Sequence, residues 1–188
     1  MIPSSLWKTA VELQRYLDSL GHQFCFIGGV AVQRWADPRL TQDVDVTLLV
    51  EFGDEEKVVE KILEKYQPRV ENPTQFAIQS RVLLAQDSQG IGIDLALGGM
   101  PFEQRLIDRS SLWGIPGTGE IRTCAAEDLV VLKTFAARPR DWSDVENTII
   151  RQGKKLDRNL IQEELVPLLK LKEEPELMEH LNSIFAKH

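Results

Sequence analysis

The spacing of apolar residues along the chain predicts helices that alternate with strands. Near the start, apolar residues share one helical face: Leu6, Ala10, Leu13, Leu17 and Leu20. Gly21 follows as a typical helix end. Short apolar runs predict strands over 24–27, 44–50 and 91–97, and helical spacing predicts helices over 30–36, 55–66 and 102–107. This order of elements is typical of an α/β protein.

The middle of the chain has a less regular pattern. Residues 76–86 are ambiguous, although 82–85 is expected to pair across a tight turn with the strand over 91–97. That hairpin places the strand over 91–97 beside the strand that contains Asp45. We interpret 113–117 as a loop and 121–124 as an edge strand.

From residue 125 onward the apolar pattern is helical. We expect a helix that contains Lys133, and then helices over 142–152, 160–171 and 175–186. Asp141 or Ser143 is available as the N-cap of the helix over 142–152. The chain is therefore predicted to comprise a sheet-containing core over 1–124 and a helical subdomain over 125–188 that packs on it.

The length and net charge of the chain limit its number of domains and the kinds of partner that it binds. A chain of 188 residues is long enough to bury a core as one domain, or as a core with a small appendage. A net charge of −7 argues against a broad basic surface for nucleic acid. A local basic segment over 138–158 is either ordinary solvated surface or a binding site for an acceptor or a phosphate.

The sequence lacks the signals of membrane or secreted proteins. No apolar run approaches the roughly 20 residues that cross a bilayer, and the start of the chain has neither a charged leader nor an apolar signal core. Cys25 and Cys124 lie among apolar or small residues without nearby cysteine or histidine partners. We therefore expect reduced thiols, a cytoplasmic location and no membrane partner.

Two carboxylates stand at the start of the strand over 44–50. Side chains two apart on a strand project to the same face, so Asp43 and Asp45 lie together while Val44 and Val46 enter the opposite layer. Like charges held a few ångströms apart repel, and the pair either shifts a pKa or takes up a cation. Mg²⁺ prefers carboxylate oxygen, so it is the expected cation.

A third carboxylate, Asp94, stands on a later strand. Its neighbours on the same face, Gly92 and Ala96, are small and leave room around it. An ordinary structural role is the alternative for each acid: a turn cap for Asp43, an arginine partner for Asp45 and an exposed strand edge for Asp94. The presence of all three behind a pair of glycines favours a metal site.

Gly28 and Gly29 stand between a predicted strand and a predicted helix. Residues without Cβ let the backbone approach a ligand, and free N–H groups at a helix start suit the phosphates of a nucleotide. The alternative is a plain turn. The segment is neither a Walker loop nor the dinucleotide fingerprint, because no Gly-Lys-Ser/Thr and no Gly-x-Gly-x-x-Gly is present there.

The order and spacing of these residues resemble the signature of the nucleotidyltransferase superfamily of the DNA polymerase beta type. Here the signature consists of Gly28-Gly29, Asp43-Val44-Asp45 and Asp94. The stretches 39–45, 127–133 and 137–144 are most similar to the small bacterial nucleotidyltransferases of the abortive-infection and type IV toxin group. The resemblance implies a mixed twisted sheet flanked by helices, two Mg²⁺ ions, an NTP substrate and transfer of a nucleoside monophosphate with loss of pyrophosphate.

The resemblance also implies roles for individual residues. Asp43, Asp45 and Asp94 are the expected catalytic metal ligands, with Asp94 as the candidate base. Gly28 and Gly29 are expected to cradle the leaving pyrophosphate. The acceptor is tRNA, a protein or a small molecule, and a toxin of this group has an antitoxin partner.

Three further residues are candidate phosphate ligands. Lys133 interrupts an apolar helix face, so its ammonium needs solvent or an anion, and the family has a nucleotide-contacting lysine in this helix. Arg39 and Thr41 precede the acids and are candidates to steer phosphate, and Asp144 matches a further family acid. Alternatively, Lys133 reaches solvent, Arg39 pairs with Asp37 and Thr41 only begins the strand.

Two other functions fit the same residues. One is a catalytically idle nucleotide-binding or antitoxin-like module, although the presence of all three acids argues against it. The other is an aminoglycoside-type transferase that modifies a cationic drug, which the negative net charge suits. We expect an active nucleotidyltransferase that acts as the toxin of a toxin–antitoxin pair.

Overall fold

The computed structural model describes residues 4–188. The predicted absence of a leader concerns the start of the chain, of which residues 1–3 lie outside the described residues. The strands are β1 Phe24–Phe26, β2 Asp43–Leu49, β3 Gln67–Pro68, β4 Val82–Gln86, β5 Gly92–Gly98, β6 Ser111–Ile115 and β7 Gly119–Thr123. The helices are α1 Ser4–Ser19, α2 Gly28–Trp35, α3 Glu55–Leu63, α4 Pro73–Ser80, α5 Pro101–Asp108, α6 Ala126–Ala136, α7 Pro139–Gln152, α8 Arg158–Lys172 and α9 Glu176–Lys187. These elements confirm the predicted α/β class.

The seven described strands form one mixed sheet in the order β3-β4-β5-β2-β1-β7-β6. β2 pairs with β5 and β1 with β7 in parallel, and the other neighbours are antiparallel. The predicted hairpin is confirmed as β4 and β5. Because β5 also pairs with β2, the two strands that contain the predicted metal ligands are direct neighbours.

The core lies on the face of the sheet opposite the acids. Fully buried side chains alternate with the acids along β2 and β5: Val44, Val46, Leu48, Ile93 and Leu95. The predicted apolar face of α1 packs in the same core. Each of these side chains contributes about 1.5–3 kcal/mol by leaving water. A slip of one residue would expose this whole set, so burial sets the register and with it the direction of the acids.

Two predictions in the middle of the chain are wrong. Of residues 113–117, interpreted as a loop, 113–115 belong to β6 and 116–117 lie in the turn that follows it. The strand predicted over 121–124 is β7, which lies between β1 and β6 rather than at an edge. Gly114 is a local turn signal, but the adjacent Trp113 ring packs edge-on against Trp7, with 5.6 Å between ring centres. This contact and the pairing with β7 keep the segment extended.

The ambiguous segment 76–86 contains both a helix and a strand. α4 ends before Arg81, whose backbone has a left-handed φ of 56°, and β4 begins at the next residue. The Arg81 guanidinium binds the Glu55 carboxylate and donates to the Val50 carbonyl at 2.7 Å. These partners are distant in sequence, so the local pattern does not locate the break.

α7 begins earlier than predicted. Its first residue is Pro139, so Asp141 and Ser143 lie inside the helix and neither is its N-cap. Proline suits the first helical position because its missing N–H needs no partner there. The helices predicted over 160–171 and 175–186 are confirmed as α8 and α9.

The chain divides into two compact units. The first comprises the described residues up to Val30 together with Leu40–Cys124, and it contains the sheet. The second comprises Ala31–Arg39 and Ala125–His188, in which α6 packs on α7, α8 and α9. The functional division at residue 124 stays a prediction. None of the helices in the described part of the chain combines the length and apolarity that a membrane span requires.

Candidate active site

The three acids that we expect to bind metal lie on adjacent strands. β2 and β5 run in parallel with Asp45 directly opposite Asp94, and with Asp43 opposite Gly92. Residues opposite one another in neighbouring strands project to the same face, about 4.8 Å apart. The structure therefore brings Asp43, Asp45 and Asp94 to one face of the sheet, where each is partly buried. β5 lies between β4 and β2, so the alternative of an exposed edge for Asp94 is wrong.

The two glycines make room for the Asp45 carboxylate. The Gly29 N–H donates to Asp45 Oδ2 at 3.1 Å, and Gly28 has a left-handed φ of 55°. A Cβ at Gly28 would overlap the Asp45 carboxylate, and a Cβ at Gly29 would overlap the Thr41 hydroxyl. The glycine pair is thus required by close packing within the site. The phosphate contact of these glycines stays a prediction.

Thr41 connects the glycine loop to the acidic strand. Its hydroxyl donates to the Asp43 carbonyl at 3.3 Å, and the residue is 8% exposed. β2 begins only at Asp43, so the alternative that Thr41 begins the strand is wrong. Thr41 therefore supports the turn that leads into the acids, and its contact with phosphate stays a prediction.

Arg69 adds a positive charge to the acidic face, and the sequence analysis missed it. Its guanidinium forms an ion pair with Asp94 and lies 4.0 Å from the Asp43 carboxylate. The Arg69 N–H donates to the Leu84 carbonyl at 2.9 Å, just after β3. β3 is too short to show a periodic pattern, and only its pairing with β4 brings Arg69 to the acids.

The environment of Asp94 favours proton acceptance. Burial raises the pKa of Asp94 above its ordinary value, the charge of Arg69 opposes this rise, and the charge of Asp43 adds to it. A carboxylate with a raised pKa is a better general base than an ordinary one at neutral pH. The role of Asp94 as the base stays a prediction.

The chemistry of the acidic face fits a divalent cation. Three carboxylates supply the oxygen ligands that Mg²⁺ prefers, and the Arg69 guanidinium between Asp43 and Asp94 shows that the face accommodates positive charge. With their side chains as they stand, no three His, Cys, Asp or Glu residues within 4–188 form a ready metal-binding group. The parallel register of β2 and β5 nevertheless holds the three acids on adjacent strands.

Arg39 and Lys133, two of the predicted phosphate ligands, meet at Asp144 in the second unit. The Arg39 guanidinium donates two hydrogen bonds of 2.6 Å to the Asp144 carboxylate. Lys133 Nζ lies 2.9 Å from Asp144 and 2.7 Å from Asp141. The Lys133 side chain is only 8% exposed, so the alternative that its ammonium reaches solvent is wrong. The phosphate contacts of Arg39 and Lys133 stay predictions.

The carboxylates of this cluster are held in the charged form. Burial alone would raise the pKa of Asp144, but the hydrogen bonds and charges of Arg39 and Lys133 lower it below its usual value. Burial also acts to raise the pKa of Asp141, and Arg138 and Lys133 lower it overall. A pKa depressed by folding stabilises the fold above the unfolded pKa, about 3.9, and this contribution is lost as the pH falls through the folded pKa.

We expect Asp144→Asn to be less stable than the wild type near neutral pH, and the difference to shrink as the pH falls below about 4. The asparagine amide is uncharged, like the protonated Asp144 carboxyl. In acid, therefore, both the variant and the wild type lack the ion pairs of residue 144. Urea unfolding across this pH range gives the free energies. Asp37→Asn, an exposed position in the same unit, is the matched control. If the difference in the free energy of unfolding between Asp144→Asn and the wild type stays constant with pH, the lowered pKa of Asp144 is contradicted.

Gly92 lies opposite Asp43 in the β2–β5 pair. A Cβ at Gly92 would overlap Asp43 Oδ1, which is the end of a side chain that is 49% exposed and can move. We expect Gly92→Ala to fold with a loss of about 1 kcal/mol or less, yet to weaken Mn²⁺ binding because Asp43 is displaced. Gly114→Ala, in strand β6 with open space at its Cβ, is the control. If Gly92→Ala binds Mn²⁺ as tightly as the wild type, the predicted displacement of Asp43 from the metal is refuted.

Comparison with known proteins relates this chain to nucleotidyltransferases. Residues 13–180 match the family described as nucleotidyl transferase AbiEii toxin, Type IV TA system. An antigenic nucleotidyltransferase-like protein from Paracoccidioides brasiliensis is 15% identical, with 96% of this chain and 94% of that chain covered and a TM-score of 0.54. A comparison with curated protein sequences finds no significant match.

Structures of an antibiotic-resistance factor, ANT(2″)-Ia, are similar to the chain as well. Its solution structure is 16% identical, covers 95% of this chain and 99% of its own, and has a TM-score of 0.57. Its crystal structure with adenylyl-2″-tobramycin is 13% identical, with 90% and 99% covered and a TM-score of 0.55. Likeness at this level of identity shows that the fold is shared.

Proposed function

Because the chain belongs to the family of AbiEii nucleotidyl transferase toxins of type IV toxin–antitoxin systems, we propose that it transfers a nucleoside monophosphate from an NTP to an acceptor in a Mg²⁺-dependent reaction. The parallel register that sets Asp45 opposite Asp94, with Asp43 on the same face, carries this proposal. The hydrogen bond that the Gly29 N–H donates to the Asp45 carboxylate connects this acidic face to the start of α2.

In this proposal Asp43, Asp45 and Asp94 hold Mg²⁺. Divalent ions bound there neutralise charge on the triphosphate and lower the pKa of an acceptor hydroxyl. Asp94 takes the proton of that hydroxyl, in keeping with its raised pKa. The hydroxyl oxygen bonds to the α-phosphorus while the bond from this phosphorus to the pyrophosphate oxygen breaks, and pyrophosphate leaves.

The remaining residues act on the phosphates. The first turn of α2, which begins with Gly28 and Gly29, faces the leaving pyrophosphate, which a helix N-terminus favours electrostatically. Thr41 keeps this loop against the acidic strand. Arg39 and Lys133 are the candidate phosphate ligands in this proposal, and in the second unit both bind the Asp144 carboxylate.

The family also suggests the biological setting. We infer that the protein is the toxin of a type IV pair with an antitoxin partner, and that it acts in the cytoplasm, where its buried Cys25 and Cys124 stay as thiols. The acceptor is tRNA, a protein or a small molecule. ANT(2″)-Ia was solved with an adenylylated tobramycin, so a small cationic drug is the second candidate acceptor to be tested.

Incubation of the protein with each α-labelled NTP, Mg²⁺ and cell extract tests the proposal. We expect label from one or more NTPs to enter RNA, protein or a small molecule, and EDTA to abolish the transfer. Separation of RNA, protein and small molecules then identifies the class of acceptor. Tobramycin, added alone in place of the extract, tests the drug alternative. Absence of label from every fraction with every NTP would support the idle nucleotide-binding module instead.

A further inference from the structure

The Arg69 guanidinium places a positive charge beside two of the predicted metal ligands. The guanidinium forms an ion pair with Asp94 and approaches Asp43 to 4.0 Å. The Arg69 side chain is 28% exposed and that of Asp94 is 35% exposed, so both charges are partly withdrawn from water. An ion pair in this position is screened less than one on an open surface.

The backbone at Gly92 and Leu84 allows Arg69 to reach the acids. A Cβ at Gly92 would overlap the Asp43 carboxylate and would lie 3.1 Å from Arg69 Nη1. The absence of a side chain at Gly92 therefore allows Arg69 and Asp43 to approach each other. The hydrogen bond from the Arg69 N–H to Leu84 anchors the base of the side chain, and Leu84 is paired with Asp94 in the β4–β5 ladder. Arg69 is thus held opposite Asp94 by the sheet itself.

Arg69 and a divalent ion compete for the same oxygen atoms. A carboxylate oxygen of Asp94 that accepts the guanidinium cannot at the same time coordinate a metal closely, and the two positive charges repel each other. Without any cation, the three neighbouring carboxylates would repel one another. A fixed guanidinium relieves this repulsion in the metal-free protein and opposes metal binding.

We propose that Arg69 is the internal counter-ion of the acidic face, which holds Asp94 and Asp43 in the metal-free protein and releases Asp94 when a divalent cation binds. This proposal rests on the assignment of Asp43, Asp45 and Asp94 as cation ligands under the proposed function. It makes Arg69 a positioning residue that tunes metal affinity. The metal-free protein therefore binds a divalent ion more weakly than its three acids alone would.

Mn²⁺ binding without nucleotide tests this role directly, because free Mn²⁺ is measured by electron paramagnetic resonance and needs no turnover. The proteins are wild type, Arg69→Gln, Arg69→Lys and Asp45→Asn. Arg15→Gln, an exposed position on α1, is the matched control for the loss of one positive charge. Circular dichroism and the thermal midpoint establish that each variant is folded.

We expect Arg69→Gln to bind Mn²⁺ about tenfold more tightly than the wild type, Arg69→Lys to bind with affinity between the two, and Arg15→Gln to match the wild type. If Arg69→Gln binds no more tightly while Asp45→Asn binds more weakly than the wild type, the counter-ion role is overturned and the acids remain metal ligands. If Asp45→Asn and the wild type bind Mn²⁺ equally, or neither binds, the metal assignment fails and the counter-ion role fails with it.

Discussion

Asp45→Asn is expected to lower nucleotidyl transfer about 1,000-fold, a loss of roughly 4 kcal/mol of transition-state stabilisation. The substitution removes a charged metal ligand opposite Asp94 while it changes the shape of the side chain little. The amide oxygen still accepts the Gly29 N–H, so the loop at the start of α2 keeps its place. Initial rates of transfer from the preferred α-labelled NTP measure the effect.

Asp43→Asn and the double variant complete this test. Residues that act as one unit are strongly non-additive, so the double variant should lose little more activity than Asp45→Asn alone. Asp18→Asn, an exposed acid on α1, is the control for the same change of charge. Transfer by the folded double variant at wild-type rate would end the assignment of these acids to catalysis.

Lys133→Met is expected to destabilise the protein by about 3 kcal/mol or more, because it leaves buried carboxylates without their ammonium partner. Lys133 Nζ lies within 3 Å of both Asp141 and Asp144, at 2.7 and 2.9 Å, and their side chains are only 2% and 3% exposed. Met keeps most of the volume of the lysine stem, so the loss reports the charge rather than a cavity. Urea unfolding at neutral pH gives the change in the free energy of unfolding.

Lys170→Met separates the effect of burial from that of the residue change. Lys170 is exposed on α8 in the same unit, and its replacement should alter stability by no more than about 0.5 kcal/mol. Equal stability of Lys133→Met and the wild type would mean that the ammonium contributes nothing net to the buried cluster. In that case the burial of Lys133 would have to serve nucleotide binding alone.

Much of the acidic face could be predicted from local patterns. The alternation of Asp43 and Asp45 with buried valines follows from strand geometry, and the small residues around Asp94 marked its face as open. The hairpin of β4 and β5 was predicted from two short runs and a turn, and the structure contains it. These features depend on residues close together in the sequence, so a single sequence is enough to infer them.

Other features depend on contacts that are remote in the sequence. The pattern of residues 113–117 predicts a loop, yet the Trp7 ring and the pairing with β7 make residues 113–115 part of a strand. Lys133 and Arg39 were each predicted to reach phosphate, and the fold joins both to Asp144. Even the reason for the glycine pair is tertiary, because the group that a Cβ at Gly28 would meet is the Asp45 carboxylate.

Sequence alone therefore determined the type and order of most of the elements, the presence of the three acids and the family to which the chain belongs, because periodicity and motif spacing are local properties. Tertiary structure alone decided which charges neutralise one another. Arg69 reaches Asp94 only through the pairing of β3 with β4 and of β4 with β5. Ion pairs form wherever the backbone brings opposite charges together, and no spacing along the chain encodes that distance.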